Sequence, residues 1–188
     1  MELTPTQQKV LKAISSSNKS ILLLGKPGTG KSTFIKYIKN NVEKNIVVVA
    51  PTGIAAININ GQTIHSLFKF PPQLLIDIDI ETSHELNSLI KRIKTIIIDE
   101  ISMVNASVID SISNSLQRYK ENDRPFGGIS TLFVGDLFQL EPVPEKSVKD
   151  KYGESFFFMA ETLNNIAPQK YTLTHSYRHE NNHSSENL

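Results

Sequence analysis

The chain has 188 residues, of which 39% are hydrophobic and 21% are charged, and its formal net charge is +1. This length allows one domain with a substantial core. The near-neutral charge excludes the broadly basic surface of many nucleic-acid-binding domains, so any nucleic-acid contact must be local or use uncharged groups. Because cysteine is absent, disulfides and thiolate metal sites are excluded, and a reducing, intracellular setting is the default. No apolar run reaches the ~18 residues that span a membrane, and the N-terminus lacks the pattern of a signal peptide.

Helices and strands alternate along the predicted chain. Residues 3–15 form the first predicted helix, with Val10, Leu11 and Ile14 on one face. Short aliphatic runs that end in loops rich in Gly, Pro, Thr or Asp predict four strands, at 21–24, Ile46–Ala50, Thr95–Ile98 and 131–134. Further helices are predicted at 32–41 and 106–119. The alternation predicts a mostly parallel α/β sheet with helices on both sides, and ligands bind such sheets at the carboxyl ends of the strands.

Three segments are less regular. Residues 70–85 contain two prolines and then alternate Ile with Asp, which predicts a short edge strand or a small insertion within 70–90. Residues 141–154 are polar and contain Pro142 and Pro144, so we expect a surface loop. The last ten residues are polar and predict a frayed tail or the beginning of another unit.

A phosphate-binding loop is predicted between the first strand and the helix that follows it. Residues 25–32, Gly-Lys-Pro-Gly-Thr-Gly-Lys-Ser, match the P-loop pattern completely. The glycines allow successive N–H groups to point at one phosphate, and the helix N-terminus adds partial positive charge. Lys31 can reach the β- and γ-phosphates of ATP, and Ser32 can bind Mg²⁺. The predicted nucleotide contacts in this loop are Gly25, Pro27, Gly28, Thr29, Gly30, Lys31, Ser32 and Thr33.

Two acids, Asp99 and Glu100, follow the third predicted strand. Alone, such a pair could be a solvated turn. Together with the P-loop, Asp99 is expected to hold the Mg²⁺ shell and Glu100 to orient or deprotonate the attacking water. The fourth strand delivers Asp136 and Gln139 to the same edge, where Gln139 could sense the γ-phosphate. An Asp that caps its own turn, beside a surface Gln, is an equally good interpretation of that segment.

Taken together, these motifs resemble those of the PIF-one family of DNA helicases, within the RecD-like group of superfamily 1. The resemblance covers nearly the whole chain in the family's order. The matching segments are Leu-Thr-Pro-Thr-Gln at 3–7, the P-loop, Ala-Pro-Thr-Gly-Ile-Ala-Ala at 50–56 with Gly-Gln-Thr-Ile-His-Ser at 61–66, Ile-Asp-Glu-Ile-Ser-Met-Val at 98–104, and Pro-Phe-Gly-Gly at 125–128 leading into Gly-Asp-Leu-Phe-Gln-Leu at 135–140. The chain departs from the pattern at Lys26-Pro27, at Glu141 and at His179.

The resemblance implies a three-layer, RecA-like motor domain at 1–174 that uses ATP and Mg²⁺. It implies that Gln7 reads the adenine, that Asp136 contacts the nucleotide, and that Lys31, Glu100 and Gln139 act in hydrolysis. It also implies ATP-driven 5′-to-3′ translocation on single-stranded DNA, with unwinding of forked duplex. Roles in DNA repair, recombination and telomere maintenance follow from the same resemblance.

DNA contacts are expected in the segment that follows the second strand. Thr52 and Gly53 stand where a hydroxyl and a backbone N–H can hold a DNA phosphate. His65 could contact backbone or base, and Phe68 could offer a stacking surface. The alternatives are that Thr52 caps a helix, that His65 is structural, and that Phe68 belongs to the core.

Residues 175–188 are expected to begin a second motor domain that this chain lacks, or to form a disordered tail. Arg178 would then approach the γ-phosphate, or be a surface arginine. We expect a fragment or truncated product, a monomer that binds nucleotide with weak ATPase activity and no unwinding. The expected location is cytoplasm or nucleoid in a bacterium, and nucleus or mitochondrion in a eukaryote. A non-catalytic ATP- and DNA-binding module and an oligomeric ring ATPase are the alternatives.

Overall fold

A six-stranded parallel sheet forms the centre of the computed structural model, which describes residues 2–15, 19–42, 45–71, 84–143 and 145–175. The strands are β1 (Ser20–Gly25), β2 (Ile46–Ala50), β3 (Gln62–Thr63), β4 (Thr95–Ile98), β5 (Ser130–Gly135) and β6 (Gln169–Leu173). Their order across the sheet is β3-β2-β4-β5-β1-β6, and each neighbouring pair is parallel. All carboxyl ends therefore meet at one edge.

Helices cover both faces of this sheet. The described helices are α1 (Pro5–Ser15), α2 (Lys31–Asn41), α3 (Gly53–Asn58), α4 (Ile64–Phe68), α5 (His84–Arg92), α6 (Ala106–Lys120), α7 (Lys146–Tyr152) and α8 (Glu161–Asn164). No helix in these ranges is both long enough and apolar enough to cross a membrane.

The core lies in two layers because successive side chains of a strand point to opposite faces. In β4, Ile97 packs with residues of α1, α2 and α3, whereas Ile96 and Ile98 pack with residues of α4, α5, α6 and α7. Every residue of β4 and β5 is buried, as expected for central parallel strands. This arrangement confirms the predicted three-layer α/β fold with a parallel sheet.

The structure corrects one predicted segment and adds others. The prediction of a surface loop at 141–154 is wrong for its second half, because α7 buries Val148 and Tyr152 against the core. The short strand β3 and the outer strand β6 were not predicted. The insertion expected within 70–90 includes residues 72–83, which lie outside the described residues, and α5 begins at His84.

Candidate functional site

The P-loop connects β1 to α2 at the carboxyl edge of the sheet. Gly28 and Gly30 have φ angles of 81° and 82°, in the left-handed region that glycine adopts without strain. Gly25 is needed for a different reason, since a Cβ there would lie 2.4 Å from Oγ1 of Thr29. The loop is therefore too tight for a residue with a side chain at the Gly25 position.

Lys31 is folded back over the loop. Its Nζ donates to the carbonyl oxygens of Gly25 and Lys26, at 2.6 and 3.2 Å, and the residue is only 9% exposed. Oγ1 of Thr29 donates to the same Lys26 carbonyl at 2.8 Å. The ammonium group is thus held by two loop carbonyls beside the expected position of the phosphates.

Asp99 follows β4 and is almost fully buried, at 3% exposure. Its Oδ1 has no hydrogen-bond partner in the described part of the chain. The pKa of this carboxyl is raised from 3.8 to about 6, chiefly by burial and also by the nearby Glu100 charge, against the opposing effects of a backbone hydrogen bond from Glu100 and the charge of Lys31. A buried carboxylate with an unpaired oxygen is a suitable ligand for a cation.

Glu100 adopts a left-handed backbone conformation, with φ 50° and ψ 46°, and begins the short 3-10 helix Ile101–Met103. The end of β5 packs tightly on this turn, since a Cβ on Gly135 would lie 2.9 Å from Cγ2 of Ile101. A non-glycine residue in this region is strained, and such strain persists where surrounding contacts fix the backbone. The packing of Gly135 on Ile101 thus fixes the turn that carries Glu100.

A cavity of about 740 Å³ brings most of the predicted nucleotide site together. This volume lies within the range of small-molecule sites. Its lining residues are Glu2, Gln7, Pro27, Gly28, Gly30, Lys31, Ser32, Thr33, Glu100 and Gln139. Residues distant in sequence, from the start of α1, the P-loop and the ends of β4 and β5, therefore face one space.

Gln7 is fixed by a reciprocal pair of hydrogen bonds with Thr4. The Thr4 backbone N–H donates to Oε1 of Gln7 at 2.9 Å, and the Gln7 N–H donates to Oγ1 of Thr4 at 3.3 Å. This is the capping box expected for the pattern Thr-x-x-Gln at a helix start. A second cavity of about 590 Å³ shares Glu2 and Gln7 with the first and is also lined by Thr29 and His175. We did not predict Thr4 or His175 as site residues, although the Thr-x-x-Gln pattern could have indicated Thr4.

Asp136 is buried, at 4% exposure, and is not among the residues that line either cavity. Its Oδ1 accepts from the Phe138 N–H at 3.1 Å, and its carbonyl accepts from the Gln139 N–H at 3.1 Å. The structure therefore shows the capping alternative for Asp136, in a turn that presents Gln139 to the nucleotide cavity.

The residues expected to contact DNA differ in their exposure and in their hydrogen bonds. Thr52 caps α3, accepting from the Ala55 N–H at 3.2 Å, and Gly53 beside it is exposed. His65 is half-buried, and burial lowers its pKa because it disfavours the charged imidazolium. Arg178 lies outside the described residues.

Phe68 requires a correction. The residue is fully buried, and its ring is stacked on Phe70 with the centroids 5.2 Å apart. Both rings belong to the core between α4 and the sheet. A ring held there is not available to stack on a DNA base, so the core alternative is the one that the structure shows.

Together, the parallel sheet, the glycine loop at a helix N-terminus and the acid pair at the end of β4 define a P-loop nucleoside triphosphatase of the three-layer α/β class. A family model described as PIF1-like helicase matches residues 2–187. The chain belongs to this family, and the resemblance stated above is confirmed.

Individual relatives agree with this assignment. The ATP-dependent DNA helicase PIF1 of Emericella nidulans is 36% identical over 185 residues, which cover 92% of this chain and 24% of that protein. The crystal structure of a Pif1 helicase from Bacteroides in complex with ADP-AlF3 and ssDNA is 38% identical, with a TM-score of 0.89 over 95% of this chain and 43% of that one. A structure of two coordinating Pif1 helicases that unwind forked dsDNA is 39% identical, with a TM-score of 0.88 over 95% of this chain and 45% of that one. The RecA-like assignment is thereby confirmed, and the chain spans about a quarter of the length of the curated relative and less than half of each solved one.

Proposed function

We propose that this chain is the ATP-binding half of a DNA helicase motor, which couples ATP hydrolysis to 5′-to-3′ movement on single-stranded DNA. The observation that carries the proposal is the 740 Å³ cavity, where Gln7, the P-loop, Glu100 and Gln139 converge. The Bacteroides relative, which matches 95% of this chain, was crystallised with ADP-AlF3 and ssDNA, and this supports both ligands.

In the proposed reaction, the loop amides and Lys31 hold the β- and γ-phosphates. Glu100 orients the attacking water and accepts its proton. Gln139 binds the γ-phosphate, and the turn after β5 passes this change to the neighbouring surface. Ser32 and Asp99 would hold Mg²⁺, which neutralises phosphate charge when bound. The unpaired Oδ1 of buried Asp99 fits this metal.

DNA is proposed to bind beside α3, through Thr52, Gly53 and His65. These groups suit the chain's near-neutral charge, since hydroxyl and backbone N–H groups can hold phosphates without many lysines. A second RecA-like domain is proposed to close over the nucleotide and to complete the DNA track, in a hinge cycle. Without it, we expect weak ATPase activity and no unwinding. The proposed DNA partner places the protein in a compartment that holds DNA.

ATPase rate with and without single-stranded DNA tests the motor assignment. Stimulation by DNA is expected, and Glu100→Gln should remove the stimulated rate. ATP binding with no turnover under either condition would instead favour a non-catalytic binding module. A nucleotide-dependent hexamer in size-exclusion chromatography would favour a ring ATPase. Strand separation by the purified monomer would contradict the need for a second domain.

The DNA site requires variants that separate DNA contact from helix capping. Thr52→Asp keeps a good cap for α3 but places a negative charge against the proposed phosphate. With His65→Ala, it should weaken DNA binding at least tenfold and leave ATP affinity unchanged. Thr172→Asp, on the exposed face of β6, is the matched control and should leave both affinities unchanged. Equal loss of DNA and ATP binding would count against separate sites.

A further inference from the structure

The Lys31 ammonium has three N–H donors, and the structure accounts for two of them. They donate to the carbonyl oxygens of Gly25 and Lys26, at 2.6 and 3.2 Å. One donor therefore remains for a phosphate oxygen, and its direction is set by the positions of the two carbonyls. Whatever fixes those carbonyls also fixes how Lys31 presents its charge to the nucleotide.

The Lys26 carbonyl is fixed by Thr29. Both the Oγ1 hydroxyl and the backbone N–H of Thr29 donate to it, at 2.8 and 3.3 Å. Thr29 is 4% exposed, and its Oγ1 lies only 2.4 Å from the position that a Cβ on Gly25 would take, so the hydroxyl occupies the inside of the loop. The single hydroxyl proton is used inside the loop and is not free to bind a phosphate.

We propose that Thr29 is a positioning residue, which orients Lys31 for the triphosphate by holding the carbonyl of Lys26. The inference rests on the proposed function, since it refines the nucleotide site of that motor. The Thr29 hydroxyl acts on the ammonium group through one shared acceptor, the carbonyl oxygen of Lys26. Its effect should be greatest on ligands that carry the phosphates that Lys31 reaches.

Thr29→Val tests this directly, because it keeps the shape of the side chain and removes the hydroxyl. We expect the affinity for a fluorescent ATP analogue to fall about fivefold, the change that corresponds to one net hydrogen bond of about 1 kcal/mol. The affinity for the matching ADP analogue should fall less, because Lys31 loses fewer phosphate contacts there. Thr29→Ser should restore wild-type values. Thr172→Val on the exposed face of β6 is the matched control.

A double-mutant cycle with Lys31→Ala separates positioning from a general structural effect. In the Lys31→Ala background, Thr29→Val should cause no further loss of affinity, since the group that it orients is gone. An equal fivefold loss in both backgrounds would overturn the proposal, as would wild-type affinity in Thr29→Val itself. If Thr29→Val does not fold, Thr29→Ala replaces it in the same cycle, because it removes the hydroxyl without adding a methyl group inside the loop.

These measurements use equilibrium binding and need neither turnover nor DNA. An absence of DNA-stimulated ATPase activity would therefore defeat the proposed motor function while leaving the Thr29 result interpretable. Conversely, a Thr29→Val protein with normal affinities and normal DNA stimulation would defeat only the positioning role.

Discussion

Replacement of Asp99 by Asn should make the nucleotide-free protein more stable. Asp99 is 3% exposed, its Oδ1 is unpaired, and burial raises its pKa to about 6. A rise from 3.8 to about 6 corresponds to about 3 kcal/mol against the ionised carboxylate in the folded chain. Asn removes this charge, so the gain in unfolding free energy at pH 8 should reach about 3 kcal/mol at most.

The pH dependence gives this prediction its sign. Because the folded-state pKa lies above the unfolded one, the folded chain holds the proton to higher pH. The stability that Asp99 contributes by binding this proton is therefore fully present below about pH 4 and is lost as pH rises to about 6. Asp99→Asn and wild type should be equally stable near pH 4 and diverge between pH 4 and 6.

Urea unfolding at a series of pH values, with EDTA and without nucleotide, measures this difference. Asp123→Asn, at an exposed position, is the control for the same change of charge. The reasoning is refuted if Asp99→Asn is no more stable than wild type at pH 8, or if its gain is equal at pH 4. Stabilisation accompanied by loss of Mg²⁺-dependent ATP binding would show that the site keeps this carboxylate at the expense of stability.

Three further substitutions follow from the same structure. Lys31→Ala should lower ATP affinity more than tenfold while the circular dichroism spectrum stays unchanged; retained affinity would contradict its phosphate role. Glu100→Gln should keep ATP affinity within about twofold and lower turnover by about 10²–10⁴, and an unchanged single-turnover rate would exclude Glu100 as the base. Asp110→Ala should lower the free energy of unfolding in urea by about 2–3 kcal/mol, because the Asp110 carboxylate accepts from the N–H groups of Glu161 and Thr162. Unchanged stability would show that water replaces those hydrogen bonds.

The P-loop and the central strands could be predicted because their causes are local. Gly28 and Gly30 are required by left-handed backbone angles, which leave a readable pattern in the sequence. The strands β4 and β5 are buried on both faces, so they appear as unbroken apolar runs. Local backbone needs and two-sided burial both restrict the residue types that a position accepts.

Features set by distant contacts could not be predicted in this way. Phe68 follows the His-Ser segment for which DNA contacts are proposed, and only its packing against Phe70 shows that it faces the core. The helix α7 buries just Val148 and Tyr152, four residues apart, so its apolar stripe is too short to recognise beside two prolines. The strand β6 reads as polar because it lies at the edge of the sheet, where most of its residues are exposed.

The order of the strands has a consequence for how the protein is made. The strand β1, which carries the P-loop, pairs with β5 and β6, whose residues lie more than 100 positions later in the chain. Neither flanking strand exists while the first half of the chain leaves the ribosome, and such distant pairings form slowly. Until β5 emerges, β1 exposes two unpaired edges that other chains or chaperones can bind, and one edge stays unpaired until Leu173 completes β6. Nucleotide can assist folding only after Gln139, the last residue that lines the nucleotide cavity, has emerged.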